Sequence, residues 1–269
     1  MAAHTGTRVT TARASARRRL RAAVVGGGVA GLVVVLAGCG GAEAEDAPVE
    51  SKKFPLAGKT LTVDSDDSRI DLVAADVKDV EVTRQVDGWV FLGSGPEATW
   101  KMKGDRLTLR VKCAAVASDC EARHTVKVPR DVAVTVEDDN GGVRAGGFRT
   151  PLTIRSDNGA VEVRDSSGAL DLVSDNGKVV AQGVTARTVK ARSENGGVEL
   201  GLAAVPDTVE TVSDNGRVVI ELPRSGAPYA VTAKSDNGGV DVDVPTDAGS
   251  SHVVKARSDN GKVTVRSAN

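Results

Sequence analysis

From about residue 130 onward, apolar and polar residues alternate in runs of four to six, and each run is interrupted by one tetrad, Ser-Asp-Asn-Gly or a close variant. The tetrad asparagines are Asn140, Asn158, Asn176, Asn195, Asn215, Asn237 and Asn260, spaced by 18, 18, 19, 20, 22 and 23 residues. Aligned on that asparagine, an aliphatic residue stands six positions before it in every copy, from Val134 and Leu152 to Val254. Valine stands three positions after it without exception, at Val143, Val161, Val179, Val198, Val218, Val240 and Val263. Period-two alternation on both sides of a turn predicts strand, turn, strand, with one face of each strand directed inward. An earlier, degraded copy fits the same template through Leu61, Val63, Ser65, Asp67, Ile70 and Leu72. The chain therefore carries eight copies, the first two separated by an insertion.

Asparagine tolerates the left-handed conformation and glycine takes positive φ at little cost, so Asn-Gly is expected to bend the chain sharply. An antiparallel meander could use that bend to close hairpins. A solenoid could use it as a corner, with equivalent strands stacked in parallel from coil to coil. Identical Ser, acid, Asn and Gly in successive copies favour the solenoid, because stacking lines them up as ladders. The predicted fold is all-β, a parallel β-solenoid or β-helix of about eight coils with a hairpin insertion near its N-terminal end. A single repeat of this kind cannot bury its own apolar face, so neighbouring coils must supply the core.

The insertion, about residues 76–130, does not repeat. It contains the alternating runs Val80–Val82, Trp89–Leu92, Leu107–Val111 and Val126–Val128, and it holds Trp89, Phe91 and Trp100, half of the six aromatic residues. Such a layer either caps the stack with those rings as core or offers them as a recognition patch. Cys113 and Cys120 flank a short loop between two of the runs. In an exported chain the pair reads as a disulfide clamp rather than as free thiols or metal ligands.

The amino terminus reads as an address. Arg17-Arg18-Arg19-Leu20-Arg21 precedes the apolar run Ala22–Leu36, and Leu36-Ala37-Gly38-Cys39 follows. A basic region, an apolar region and small residues make an export signal, and fifteen apolar residues fall short of the about 20 needed to span a bilayer. The Leu-Ala-Gly-Cys tetrad resembles the lipobox of bacterial lipoproteins. That resemblance implies that Cys39 carries lipid and becomes the new amino terminus after cleavage. The expected organisation is a signal peptide at 1–38, a lipid-anchored flexible tether at 39–53 and a β-solenoid repeat domain at 54–269. The arginine run leaves open the general and the twin-arginine export routes.

Charge changes the picture once the signal is set apart. The whole chain has a formal net charge of -1, with 35 basic and 36 acidic side chains. Six of the arginines and none of the acids lie within residues 1–39, so the remainder carries 29 basic and 36 acidic groups, a net of -7. An acidic body with 2% aromatic residues is unsuited to nucleic acid and to ring-stacked ligands.

Each turn from Asn140 onward has an acid just before its asparagine: Asp139, Asp157, Asp175, Glu194, Asp214, Asp236 and Asp259. Stacked about 4.8 Å apart, these would form a column of like charge that invites calcium. Basic residues at flanking outward positions, among them Arg155, Lys178, Arg192, Arg217, Lys234, Arg257 and Lys262, favour a self-compensated edge with no metal. No catalytic residues are expected. The histidines His4, His124 and His252 lie outside the repeat tetrads, and an acid recurring in every turn is a ladder rather than a singular active site. No phosphate-cradling or other cofactor signature is present.

The Ser-Asp-Asn-Gly-x-Val copies, each preceded by alternating aliphatics, resemble the putative-adhesin family of bacterial β-strand-repeat proteins, whose function is unknown. The segment Leu222-Pro223-Arg224-Ser225-Gly226-Ala227-Pro228-Tyr229 also resembles that family's connection between copies. The likeness covers roughly Phe54–Asn269 and implies an all-β solenoid with no catalytic residues to carry over. The expectation is a lipid-anchored, extracytoplasmic, adhesin-like interaction or structural module of the cell envelope, and not an enzyme. Its partners would be the membrane through the lipid, and an envelope protein or glycan. The alternatives are an envelope-stress accessory protein and a calcium-dependent, polysaccharide-active β-helix enzyme. The chain ends shortly after Val265, so the carboxyl-terminal copy is expected to be an uncapped edge suited to self-association.

Overall fold

The computed structural model describes residues 47–268. The signal, Cys39 and most of the tether lie outside the described residues, as do the side chains of 89–94 and 114–119, which include Trp89 and Phe91.

The described residues form nineteen strands and no helix. After β1 (Glu50–Phe54), coil 1 consists of β2 (Thr60–Ser65) and β3 (Arg69–Ala75), and the insertion of β4 (Val80–Lys103) and β5 (Arg106–Pro129). Coil 2 is β6 (Ala133–Asp138) and β7 (Val143–Gly146), coil 3 β8 (Leu152–Ser156) and β9 (Val161–Arg164), and coil 4 β10 (Leu170–Ser174) and β11 (Val179–Val184). Coil 5 is β12 (Thr188–Ser193) and β13 (Val198–Leu202), and coil 6 is β14 (Thr208–Ser213) and β15 (Val218–Leu222). Coil 7 is β16 (Ala230–Ser235) and β17 (Val240–Asp243), and coil 8 is β18 (Val253–Ser258) and β19 (Val263–Ser267).

Equivalent strands pair in parallel and in register, so like residues meet. Between coils 3 and 4, for example, Leu152 faces Leu170, Ile154 faces Leu172 and Ser156 faces Ser174. The inward aliphatics of both strands merge into one continuous core running from Phe54 to Val265. β-Branched and small aliphatic side chains suit this pleated, close-set interior. The predicted parallel β-solenoid of eight coils is the observed fold.

The turns corner through contact rather than through unusual φ angles. None of the tetrad asparagines or glycines takes positive φ, contrary to the sequence expectation. The glycines are there because the turns nearly touch. A Cβ on Gly177 would lie 2.1 Å from the Gly159 carbonyl oxygen, and one on Gly196 would lie 2.2 Å from that of Gly177. From Asn158 onward each asparagine amide donates to the Oδ1 of the asparagine on an adjacent coil, as in Asn176 to Asn158 and Asn195 to Asn176, both at 2.8 Å, while Asn140 donates to Asp67 Oδ1. In coils 4 to 8 each tetrad serine accepts its own turn's glycine N–H and donates across to the neighbouring coil's glycine carbonyl, as Ser193 does with Gly196 and Gly177. The serine hydroxyls of those turns are thereby satisfied.

The insertion is partly a further coil. The first half of β5 pairs in parallel with β2, setting Leu107 beside Val63, and its second half pairs with β3, setting Val126 beside Leu72. The corner between the halves is tied by the Cys113–Cys120 disulfide, S–S 2.04 Å. β4 runs antiparallel along β5, and β1 runs antiparallel along β4. The four predicted runs are thus two continuous 24-residue strands that close one end of the stack.

At the other end the order of coils departs from the order of the chain. β18 pairs with β14 on one side and β16 on the other, and β19 likewise lies between β15 and β17. The asparagine ladder follows the same path, Asn237 donating to Asn260 and Asn260 to Asn215. The carboxyl-terminal copy is therefore interior, and the open edge belongs to coil 7. The connections on either side of coil 7, residues 223–229 and 244–252, give the chain the length to step over one rung and return. Charge favours this order. Arg266 of coil 8 lies between Glu221 of coil 6 and Asp243 of coil 7, and its guanidinium pairs with Glu221. Lys255 of coil 8 likewise stands opposite Glu210 of coil 6. Stacking in chain order would put Asp243 directly against Glu221, a like-charge pair that opposes pairing.

Candidate interaction surfaces

The turn edge carries the acid column, and it is compensated unevenly. Arg192 reaches Asp214 at 3.0 Å and Glu194 at 3.8 Å, while Arg257 bridges Asp259 at 3.0 Å and Asp236 at 3.1 Å. Arg155 and Lys178, expected to serve the same column, instead pair with Asp171 and Glu199 on the strand faces. Among the described residues Asp139, Asp157 and Asp175 have no ion pair, and for Asp157 and Asp175 this departs from the expected self-compensated edge. Among the described residues no group of three or more His, Cys, Asp or Glu is arranged to hold a metal ion.

Two buried polar side chains interrupt the regular pattern near the closed end. Asp138 occupies the serine slot of coil 2, flanked by Ser65 and Ser156. Neither of its carboxyl oxygens has a hydrogen-bond partner of good geometry. Burial pushes its pKa up to about 7, with Asp139 and Asp66 acting in the same sense and the nearby Ser65 hydroxyl and Gly141 amide opposing. His124 occupies the valine slot of the β5 coil, beside Ile70, with both ring nitrogens unpartnered. Burial depresses its pKa to about 4, with the Arg84 charge adding to the effect and Asp66 opposing it. Their neighbour Asp64 differs: burial works to raise its carboxyl, but hydrogen bonds from Arg110 and Arg106 hold it below the ordinary range. Asp138 and His124 are sealed in the interior and present no face to a substrate.

The described rings at the closed end, Phe54 and Trp100, are packed rather than displayed. Phe54 is buried, Trp100 meets it edge-on at 6.4 Å, and the Arg84 guanidinium stacks 4.2 Å over the Trp100 ring. Lysines Lys52, Lys53, Lys101 and Lys103 stand exposed along the strands of this end, which guards an edge against adventitious pairing.

Two concavities lie toward the other end. A shallow groove of about 1020 Å³ crosses the outer face of the second strands of coils 4 to 8. Several of its charges pair with one another, Arg266 with Glu221 and Lys262 with Asp241 at 3.4 Å. A hollow of about 460 Å³ opens at coil 7, lined by Val231, Ala233, Val242, Tyr229, Thr246 and Ala248. It is the core itself, left uncovered. Val240 and Val242 are 46% and 39% exposed, whereas Val263 and Val265, their counterparts one rung inward, are fully buried. Sequence reasoning placed the open edge on the wrong copy. The two longest spacings, 22 and 23 residues, and the alternating signs of Glu221, Arg266 and Asp243 were the signals available.

An array of two-strand coils, closed at one end and open at the other, with no enclosed polar pocket among the described residues, defines a β-solenoid repeat protein. The chain belongs to the Toastrack DUF4097 family, whose model matches residues 55–268. A solved structure of a "putative adhesin" from Bacteroides fragilis is similar in fold, with a TM-score of 0.52 at 15% identity over 82% of this chain and 97% of that one. A "putative adhesin" from Parabacteroides distasonis gives a TM-score of 0.49 at 16% identity over 83% of this chain and 98% of that one. No curated protein matches the chain.

Proposed function

We propose that this protein is a lipid-anchored, extracytoplasmic interaction module of the bacterial cell envelope, adhesin-like in architecture and without catalytic activity. The observation that carries the reading is the asymmetry of the stack. β1, which takes residues 50–53 out of the expected flexible tether and pairs them with β4, lies at the closed end, and the uncovered core lies at the opposite end. Eight coils at about 4.8 Å each separate the two ends by roughly 40 Å. Such a body offers its exposed tip at the end opposite its first strand. Two or three acyl chains on Cys39 would make membrane attachment stable where one would not. The Bacteroides fragilis structure, named a "putative adhesin", supports the reading by fold alone.

Palmitate labelling and membrane fractionation of the wild type and of Cys39→Ala test it. Lipid incorporation and membrane retention in the wild type, both lost in the variant, are expected. A wild-type chain that is neither labelled nor retained overturns the anchor and with it the envelope assignment.

A further inference from the structure

We propose that the open edge of coil 7 is a docking site for a β-strand of a partner protein, one that alternates apolar and basic residues. The inference deepens the reading of the protein as an interaction module and rests on it. Every interior coil has a strand on each side, whereas β16 and β17 each have one neighbour, β18 and β19. Among the described residues no strand pairs with the other side of β16 and β17, which leaves an edge of the kind that strand addition uses. The side chains along it specify the visitor. Inward, Val242 lines the hollow of about 460 Å³ and Val240 stands uncovered on the same face of β17, so that face takes apolar residues at alternate positions. Outward, Asp241 and Asp243 stand exposed.

The protein shows what this edge accepts. On its occupied side, β17 pairs with β19, whose sequence is Val263-Thr264-Val265-Arg266-Ser267. There Val263 meets Val240, Val265 meets Val242, Arg266 stands opposite Asp243, and Lys262 reaches Asp241 at 3.4 Å. The same rung carries Glu221, Arg266 and Asp243 in succession, an alternation of sign that coil order preserves at the expense of chain order. The next rung beyond Asp243 calls for a cation. A second copy meeting this edge by two-fold symmetry would set Asp241 and Asp243 against their own equivalents. That is a like-charge arrangement, and it favours a different partner.

A fluorescent peptide with the sequence of residues 262–268, Lys-Val-Thr-Val-Arg-Ser-Ala, serves as the probe against the full-length protein. Its control carries Lys262→Glu and Arg266→Glu. Binding by anisotropy is expected for the basic peptide, together with slowed amide exchange in 230–243. Asp243→Lys in the protein is expected to weaken binding about tenfold, because opposite charges across strands become like charges. Asp243→Asn, which removes the charge at an exposed position without reversing it, is expected to give an intermediate loss and controls for any misfolding of the lysine variant. Equal binding of the acidic peptide, or protection absent from 230–243, overturns the proposal. A concentration-dependent dimer of the wild type that protects 230–243 without peptide also overturns it, by making a second copy the occupant. Failure of the lipid labelling described above would remove the envelope reading and leave the peptide result standing.

Discussion

Replacing Asp138 isolates the one rung at which the serine ladder is broken. Its carboxyl is buried without a well-aligned partner, and its pKa rises from 3.8 to about 7 on folding. Between those values the unfolded chain has released a proton that the folded protein still holds. Stability therefore falls as pH rises through this window and is constant above it. Three units at about 1.4 kcal/mol each set a ceiling of about 4 kcal/mol. Asp138→Asn removes the charge at constant shape. Asp138→Ser in addition restores the hydroxyl that bridges turns in coils 4 to 8, where Ser193 Oγ, for one, donates to the Gly177 carbonyl at 2.8 Å. Urea unfolding of wild type and variants from pH 4 to 8 is the assay. Differences between variant and wild type matter more than the wild-type profile, because His124 has the opposite slope over part of the range. Both variants should be nearly neutral at pH 4 and more stable than wild type by about 1–3 kcal/mol at pH 8, a discount on the ceiling for relaxation and water entry. A difference that does not grow with pH would refute the reasoning, as would loss of stability in Asp138→Asn at pH 8.

Other outcomes follow from the same geometry. His124 remains neutral down to about pH 4, below the 6.5 of an unfolded histidine, so stability is lost as pH falls between those values, and His124→Val should remove that acid-side loss in unfolding at pH 5. Gly196→Ala forces a Cβ to within 2.2 Å of the Gly177 carbonyl oxygen and should cost roughly 1–3 kcal/mol or more in thermal unfolding. Gly239→Ala, with nothing within 4 Å of the added carbon, should melt within about a degree of wild type or slightly above it. Trp100→Ala removes the ring packed between Phe54 and Arg84 and should lower the melting temperature by several degrees; unchanged melting would make that layer a recognition patch instead.

Local pattern carried much of this structure. The copies, their inward aliphatics, the stacked asparagines and the clamp of Cys113 and Cys120 were all legible, because each depends on residues near one another in the chain or repeated at fixed spacing. The reason for the tetrad glycine was not. Its necessity lies in the carbonyl of the next coil, a distance that no single copy contains. The fusion of the insertion into a further coil was hidden because Leu107 and His124 take repeat slots without the repeat's turn between them. Asp138 was visible as Asp-Asp-Asn-Gly in place of Ser-Asp-Asn-Gly, but its burial required knowing that the slot points inward. Stacking order was least accessible. Coils 7 and 8 carry equivalent inward residues, and only the pairing of Arg266 with Glu221 and of Lys255 with Glu210, across 45 residues of sequence in each case, separates the two orders.

Amide hydrogen exchange of the terminal coils tests the central claim most directly, that coil 8 is interior and coil 7 is the open end. The amides of 253–258 and 263–267 should be protected like those of coils 4 to 6, and those of 240–243 should exchange fastest among the repeat strands. Faster exchange at 263–267 than at 240–243 would show the coils stacked in chain order and would remove the site proposed on coil 7.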